Sequence, residues 1–100
     1  MGKLVRDRIP EIIRASGRVP EARKLDASAY QAALHAKLLE EVGELREADT
    51  DEHALEEAAD VFEVLNALIG CYGYSIDDVR QVAEKKRTER GGFSDRIWLD

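Results

Sequence analysis

The sequence predicts an all-α protein, an antiparallel helical bundle of one short and three longer helices within a single domain spanning residues 1–100. Three observations predict it. Apolar residues recur at helical spacing through the middle of the chain. Residues able to cap a helix N-terminus precede the apolar segments, and glycines follow several of them. The break between the two longest segments, Asp49-Thr50-Asp51, is so short that they must return antiparallel as neighbours.

The opening stretch from Lys3 to Gly17 reads as the short helix, with Asp7 as cap, Pro10 in the first turn and Gly17 as the stop. Leu4, Ile9, Ile12 and Ile13 would anchor it. From Arg18 to Leu25, around Pro20, the pattern is irregular and predicts a connector or a short extended piece. Asp26 or Ser28 caps a helix from about Ala27 to Ala48, with Leu34, Leu38 and Leu45 on its core face. His35 falls on the Leu38–Val42 side and reads as a packed histidine. Gly43, inside this helix, costs up to ~1 kcal/mol relative to Ala.

Thr50 or Asp51 caps the next helix, from about Glu52 to Cys71, with Gly73 as a left-handed stop. His53 reads as an exposed residue of its first turn, and Cys71 as a small buried apolar residue beside Leu68. Ser75-Ile76-Asp77-Asp78 resembles a capping box that opens a last helix to about Arg90, ended by Gly91-Gly92. Phe93, Ile97, Trp98 and Leu99 make the tail too apolar to float free, which predicts packing against the body or a second subunit.

Composition bounds the function. A hydrophobic fraction of 44% beside a charged fraction of 36% describes a soluble globular helical chain. No apolar run approaches the ~18 residues of a membrane span. Charges recur from Lys3 onward, so residues 1 to 20 contain no signal-peptide apolar core, and the single Cys71 suits a reducing compartment; a cytoplasmic protein is expected. Seven Lys or Arg against three acids in residues 1 to 24, and six against three in residues 80 to 96, flank an acidic middle. The net charge of −6 argues against nucleic acid as the main partner, whereas a compact anionic ligand fits the flanking cations.

That acidic middle carries the chemistry. Glu40-Glu41-Val42-Gly43-Glu44 and Glu56-Glu57-Ala58-Ala59-Asp60 repeat one pattern: two carboxylates, two small or apolar residues, a third carboxylate. At about 100° per residue, Leu34, Leu38 and Leu45 lie within roughly 60° of Glu41, and Val61, Val64 and Leu68 within roughly 40° of Glu57. Glu44 and Asp60 lie about 60° to the other side. Glu47 and Glu63 fit a solvated face, and Glu40 and Glu56 fit it more loosely. Glu41 and Glu57 do not.

Burying an unpaired carboxylate costs several kcal/mol, and between Glu40 and Glu63 the only Lys or Arg is Arg46. A divalent cation supplies the missing charge. All-oxygen ligands favour Mg²⁺ or Mn²⁺ over zinc. The bland alternative is an acidic helix surface, since i, i+3 acidic pairs are common on helices.

Taken together, Glu40-Glu41-x-x-Glu44 and Glu57-x-x-Asp60 resemble the signature of the all-α nucleoside triphosphate pyrophosphatases, which include MazG, dimeric dUTPase and phosphoribosyl-ATP pyrophosphohydrolase. The run Lys3-Leu4-Val5-Arg6-Asp7-Arg8-Ile9-Pro10-Glu11 and the pattern Lys86-x-x-x-Arg90-Gly91-Gly92-Phe93-x-x-Arg96-Ile97 resemble the small MazG-like, house-cleaning branch. The resemblance implies a helical bundle completed by a second subunit, as a homodimer or homotetramer, that hydrolyses an NTP to NMP and pyrophosphate.

It further implies Glu41, Glu44, Glu57 and Asp60 as Mg²⁺ ligands, and Glu40 as an outer ligand or water orienter. Lys86 and Arg90, with Lys3 and Arg6, would hold phosphate oxygens. Phe62 and Asn66 lie roughly 140° and 180° from Glu57, too far round the helix to serve base recognition. Phosphoribosyl-ATP hydrolysis and a non-catalytic helical interaction module are the alternatives.

Overall fold

The computed structural model describes residues 2–100. The chain is all-α, with α1 at Ile9–Ala15, α2 at Ala27–Arg46, α3 at Asp51–Cys71 and α4 at Ile76–Arg90. No strand occurs among the described residues.

Local chemistry sets most of the boundaries. The Asp26 side chain accepts from the Ala29 N–H (2.8 Å), and Thr50 Oγ1 accepts from the His53 N–H (3.0 Å). Ser75 and Asp78 close the capping box reciprocally: Ser75 N–H donates to Asp78 Oδ2 and Asp78 N–H to Ser75 Oγ. Gly73 and Gly91 leave α3 and α4 at φ of 84° and 82°, a region where a side chain is strained.

The cap expected from Asp7 is not made. The N-cap of α1 is Arg8, without a side-chain bond. Pro10 has no N–H, which removes one of the two donors a capping side chain could reach.

The centre of the molecule is the α2–α3 hairpin, turned by residues 47–50. His35 Nε2 lies 3.3 Å from the Tyr72 hydroxyl, while Glu41 and Glu44 meet Glu57, so the two helices run antiparallel along their whole length. Leu34 and Leu68 are the buried apolar residues among those described. α4 packs on α3, and the N-terminal segment lies over the hairpin through Arg6.

Two expectations are corrected, and of the two alternatives for the tail one is removed. His35 is exposed and meets Tyr72 instead of packing into the core. Cys71 is exposed too, its thiol facing the Ala67 carbonyl of its own helix, because nothing covers that side of the last turn of α3. The tail does not pack on the body of its own chain, since Phe93 is 98% and Trp98 85% exposed.

The result is open for its length. The radius of gyration is 17.1 Å, against about 13 Å for a compact domain of this size. No helix is long and apolar enough to cross a membrane among the described residues.

Candidate metal centre

Two helices at close quarters bring three carboxylates together. Glu41 and Glu44 from α2 and Glu57 from α3 each offer an oxygen within 4.8 Å of the others. Glu41 is only 6% exposed, the most enclosed charged side chain among the described residues. Glu57 is half-buried and Glu44 opens to solvent, so the cluster is closed at its base and accessible at its rim.

Glu41 and Glu57 each have a basic side chain one helical turn earlier. Lys37 Nζ lies 3.4 Å from Glu41 Oε1, and His53 Nε2 lies 3.1 Å from Glu57 Oε1. The other His53 nitrogen, Nδ1, lies 3.0 Å from Asp49 Oδ1, which fixes the ring from behind. The sequence reading missed both cations. Lys37 lies three residues before the Glu40–Glu63 stretch, in which Arg46 is the only Lys or Arg, and the first-turn position of His53 reads as exposed. The signal was present in the i, i+4 spacing, which puts each cation directly beneath its glutamate.

These cations leave the second oxygens untouched. Glu41 Oε2 and Glu57 Oε2 are buried and have no hydrogen-bond partner. Left unsatisfied, such atoms carry a desolvation penalty of about 1–3 kcal/mol each, more when charged, which a shared proton or a bound cation would offset.

The titration behaviour agrees. Burial, then the hydrogen bond its protonated carboxyl donates to Glu44, pushes Glu41 above its ordinary value despite Lys37. Burial works to lower the Lys37 ammonium, but the hydrogen bond to Glu41 and the charges of Glu40 and Glu41 outweigh it and raise it overall. The His53 imidazole is raised chiefly by its hydrogen bond with Asp49; burial opposes this, and Glu57 adds a lesser push upward.

The remaining sequence candidates fall in other places. Asp60, one turn beyond Glu57, stands outside the three-carboxylate cluster and is gripped by Arg6, Nη2 to Oδ1 at 2.5 Å. Glu40 is exposed and lies 3.5 Å from Lys37 Nζ. Arg6, Lys37, Glu41 and Asp60 line one cavity of about 270 Å³ between the N-terminal segment and the hairpin, with Tyr30 and Leu34 also in its wall. Lys86 borders a separate, mostly apolar groove between Ile69 and Val82, while Arg90 and Lys3 are exposed; none of these three lines the cavity beside the carboxylates.

The donor set fits a hard divalent cation. Three carboxylates from two helices, two of them with a buried oxygen that has no hydrogen-bond partner, offer anionic oxygen ligands, and Glu44 leaves one side open to solvent.

A stretch of 56 residues is 66% identical to an uncharacterized protein of Mycolicibacterium smegmatis, and it covers 56% of this chain and 57% of that relative. The match therefore spans little more than half of either protein. No family model and no solved structure matches the chain.

Proposed function

We propose that the protein is a Mg²⁺-dependent nucleotide pyrophosphohydrolase that cleaves the α–β phosphoanhydride of a canonical or modified NTP to give NMP and pyrophosphate. The observation that carries this reading is the cluster of Glu41, Glu44 and Glu57 on facing helices, in which Glu41 and Glu57 each keep a buried oxygen without a partner. The EExxE and ExxD motifs and the two basic ends supply the reaction class by resemblance.

Glu41, Glu44 and Glu57 would hold the ion, with Asp60 available once Arg6 releases it. Mg²⁺ at such a site supplies positive charge against the triphosphate and makes water more acidic. The chain's own residues do the rest. Glu40, on the exposed rim, can orient the attacking water. As the water oxygen bonds to phosphorus, the bridging P–O bond breaks, its electron pair leaves with the pyrophosphate, and the water proton passes to solvent through a carboxylate.

Arg6 and Lys37, both lining the adjoining cavity, place positive charge where phosphate oxygens can sit, and Tyr30 offers an aromatic face for a base. Lys86 and Arg90 could contribute only from a second subunit or after α4 moves, since neither lines that cavity.

A second copy of the chain belongs to the same reading. Leu39 and Leu55 lie exposed on the hairpin, on the side away from Glu41 and Glu57, and Phe93, Ile97 and Trp98 lie exposed on the tail. Two buried leucines are a small core for a 100-residue chain, and pairing of like surfaces supplies the missing burial.

Pyrophosphate release from a panel of NTPs with Mg²⁺ or Mn²⁺, beside a Glu57→Gln control, tests the reaction. Release that the control abolishes is expected. Metal binding without release from any NTP would move the substrate to phosphoribosyl-ATP or another diphosphate ester. Absence of metal binding would leave a non-catalytic interaction module.

A further inference from the structure

We propose that Lys37 and His53 are positioning residues for the metal centre, each fixing the outer oxygen of the glutamate one turn ahead so that its inner oxygen points to the ion. The inference rests on the metal reading above and adds two residues to it.

The arrangement is the same on both helices. Lys37 precedes Glu41 by four residues on α2, and His53 precedes Glu57 by four on α3. Lys37 Nζ lies 3.4 Å from Glu41 Oε1, shared with Glu40 Oε1 at 3.5 Å, and His53 Nε2 lies 3.1 Å from Glu57 Oε1, while in each of Glu41 and Glu57 Oε2 remains buried without a partner. A carboxylate with one oxygen held has lost rotation about its last torsion, so it presents a single oxygen in a fixed direction. His53 is itself fixed by Asp49 behind it, which gives an Asp49–His53–Glu57 ladder climbing α3 at i, i+4 steps from the turn. Lys37 is largely enclosed, and its ammonium reaches Glu41 along the cavity wall. Hydrogen bonds of this kind to ligating carboxylates are a common way to orient them, and losing one typically costs 10–100-fold in metal affinity.

A purely electrostatic role gives the opposite sign. If Lys37 and His53 only neutralised buried charge in the metal-free protein, removing either would take away a repulsive neighbour and tighten the hold on a cation. The direction of the change in affinity therefore separates the two roles.

Mn²⁺ titrations of the full chain, read from the paramagnetic signal of free Mn²⁺ and by calorimetry, make the test with Lys37→Met, His53→Leu and His53→Gln. The dissociation constant should rise about tenfold or more in Lys37→Met and in His53→Leu. His53→Gln, whose amide N–H can replace the Nε2 donor, should recover most of the loss. Circular dichroism confirms the fold of each variant, and because His53 is partly exposed the His53 pair decides the matter even if Lys37→Met does not fold. Unchanged or tighter Mn²⁺ binding in His53→Leu overturns the positioning role and leaves the metal centre standing. Failure of the unmutated chain to bind Mn²⁺ overturns the centre itself.

Discussion

The hairpin of α2 and α3 and the segment formed by α4 and the tail both carry large apolar side chains and come to opposite ends. In the hairpin, facing helices of 20 and 21 residues enclose Leu34, Leu68 and Glu41. From Arg80 to Asp100 every residue is exposed, although this stretch contains Val82, Phe93, Ile97, Trp98 and Leu99. The difference teaches that a large apolar side chain is buried only where another element faces it, and that the charged sequence of α4 gives it little with which to recruit one. α2 and α3 find each other through a four-residue turn, whereas α4 meets α3 alone and its outer side meets nothing in the same chain.

The sharpest way to break this comparison is to empty the hairpin core. Leu68→Ala should cost about 2–5 kcal/mol in denaturant unfolding, whereas Val82→Ala on α4 should cost far less in the dilute monomer. Equal losses would show that the two regions share one core.

The tail answers to a different measurement. Trp98→Ser should leave dilute-monomer unfolding unchanged and weaken self-association by about 2 kcal/mol, roughly thirtyfold in the dissociation constant, in concentration-dependent light scattering. A strictly monomeric mass for the unmutated chain at high micromolar concentration would remove the second copy from the account.

The hairpin also carries a pH signature. Burial and Glu44 hold the Glu41 carboxyl above its ordinary value of 4.5, so the folded chain binds that proton more tightly than the unfolded chain does. The metal-free protein should therefore lose stability as the pH rises from the ordinary carboxylate value through the raised one. Denaturation midpoints in chelator across that window, compared with Glu41→Gln, isolate the contribution. A wild-type-minus-variant difference that grows with pH would contradict it.

The smallest contrast lies in the caps. Thr50→Ala should lower global stability by about 1 kcal/mol because α3 belongs to the core. Ser75→Ala should fray α4, visible as lost helicity, with little change in the global midpoint. A global loss from Ser75→Ala as large as that from Thr50→Ala would tie α4 into the core.

What the sequence made legible was what depends on neighbours along the chain. Asp26, Thr50 and Ser75 cap helices, Gly73 and Gly91 end them, and the wheel sends Glu41 and Glu57 inward because the leucines and valines beside them define the face. The cations beneath those glutamates needed one more turn of the same wheel, since Lys37 and His53 stand four residues before Glu41 and Glu57.

Contacts between distant parts of the chain were not legible in this way. Arg6 and Asp60 are 54 residues apart, and no periodicity encodes their pairing. The exposure of Cys71 and of the tail depends equally on which surfaces the fold leaves uncovered.

The central claim is that the buried carboxylates of the hairpin form a metal centre, and the Mg²⁺ dependence of thermal unfolding tests it most directly. At a hundredfold excess over the dissociation constant, Mg²⁺ should stabilise the unmutated chain by about 2.7 kcal/mol, seen as a raised melting temperature. Glu57→Gln should fold and show no such rise. A melting temperature that ignores Mg²⁺ in the unmutated chain, or an equal rise in Glu57→Gln, would contradict the claim.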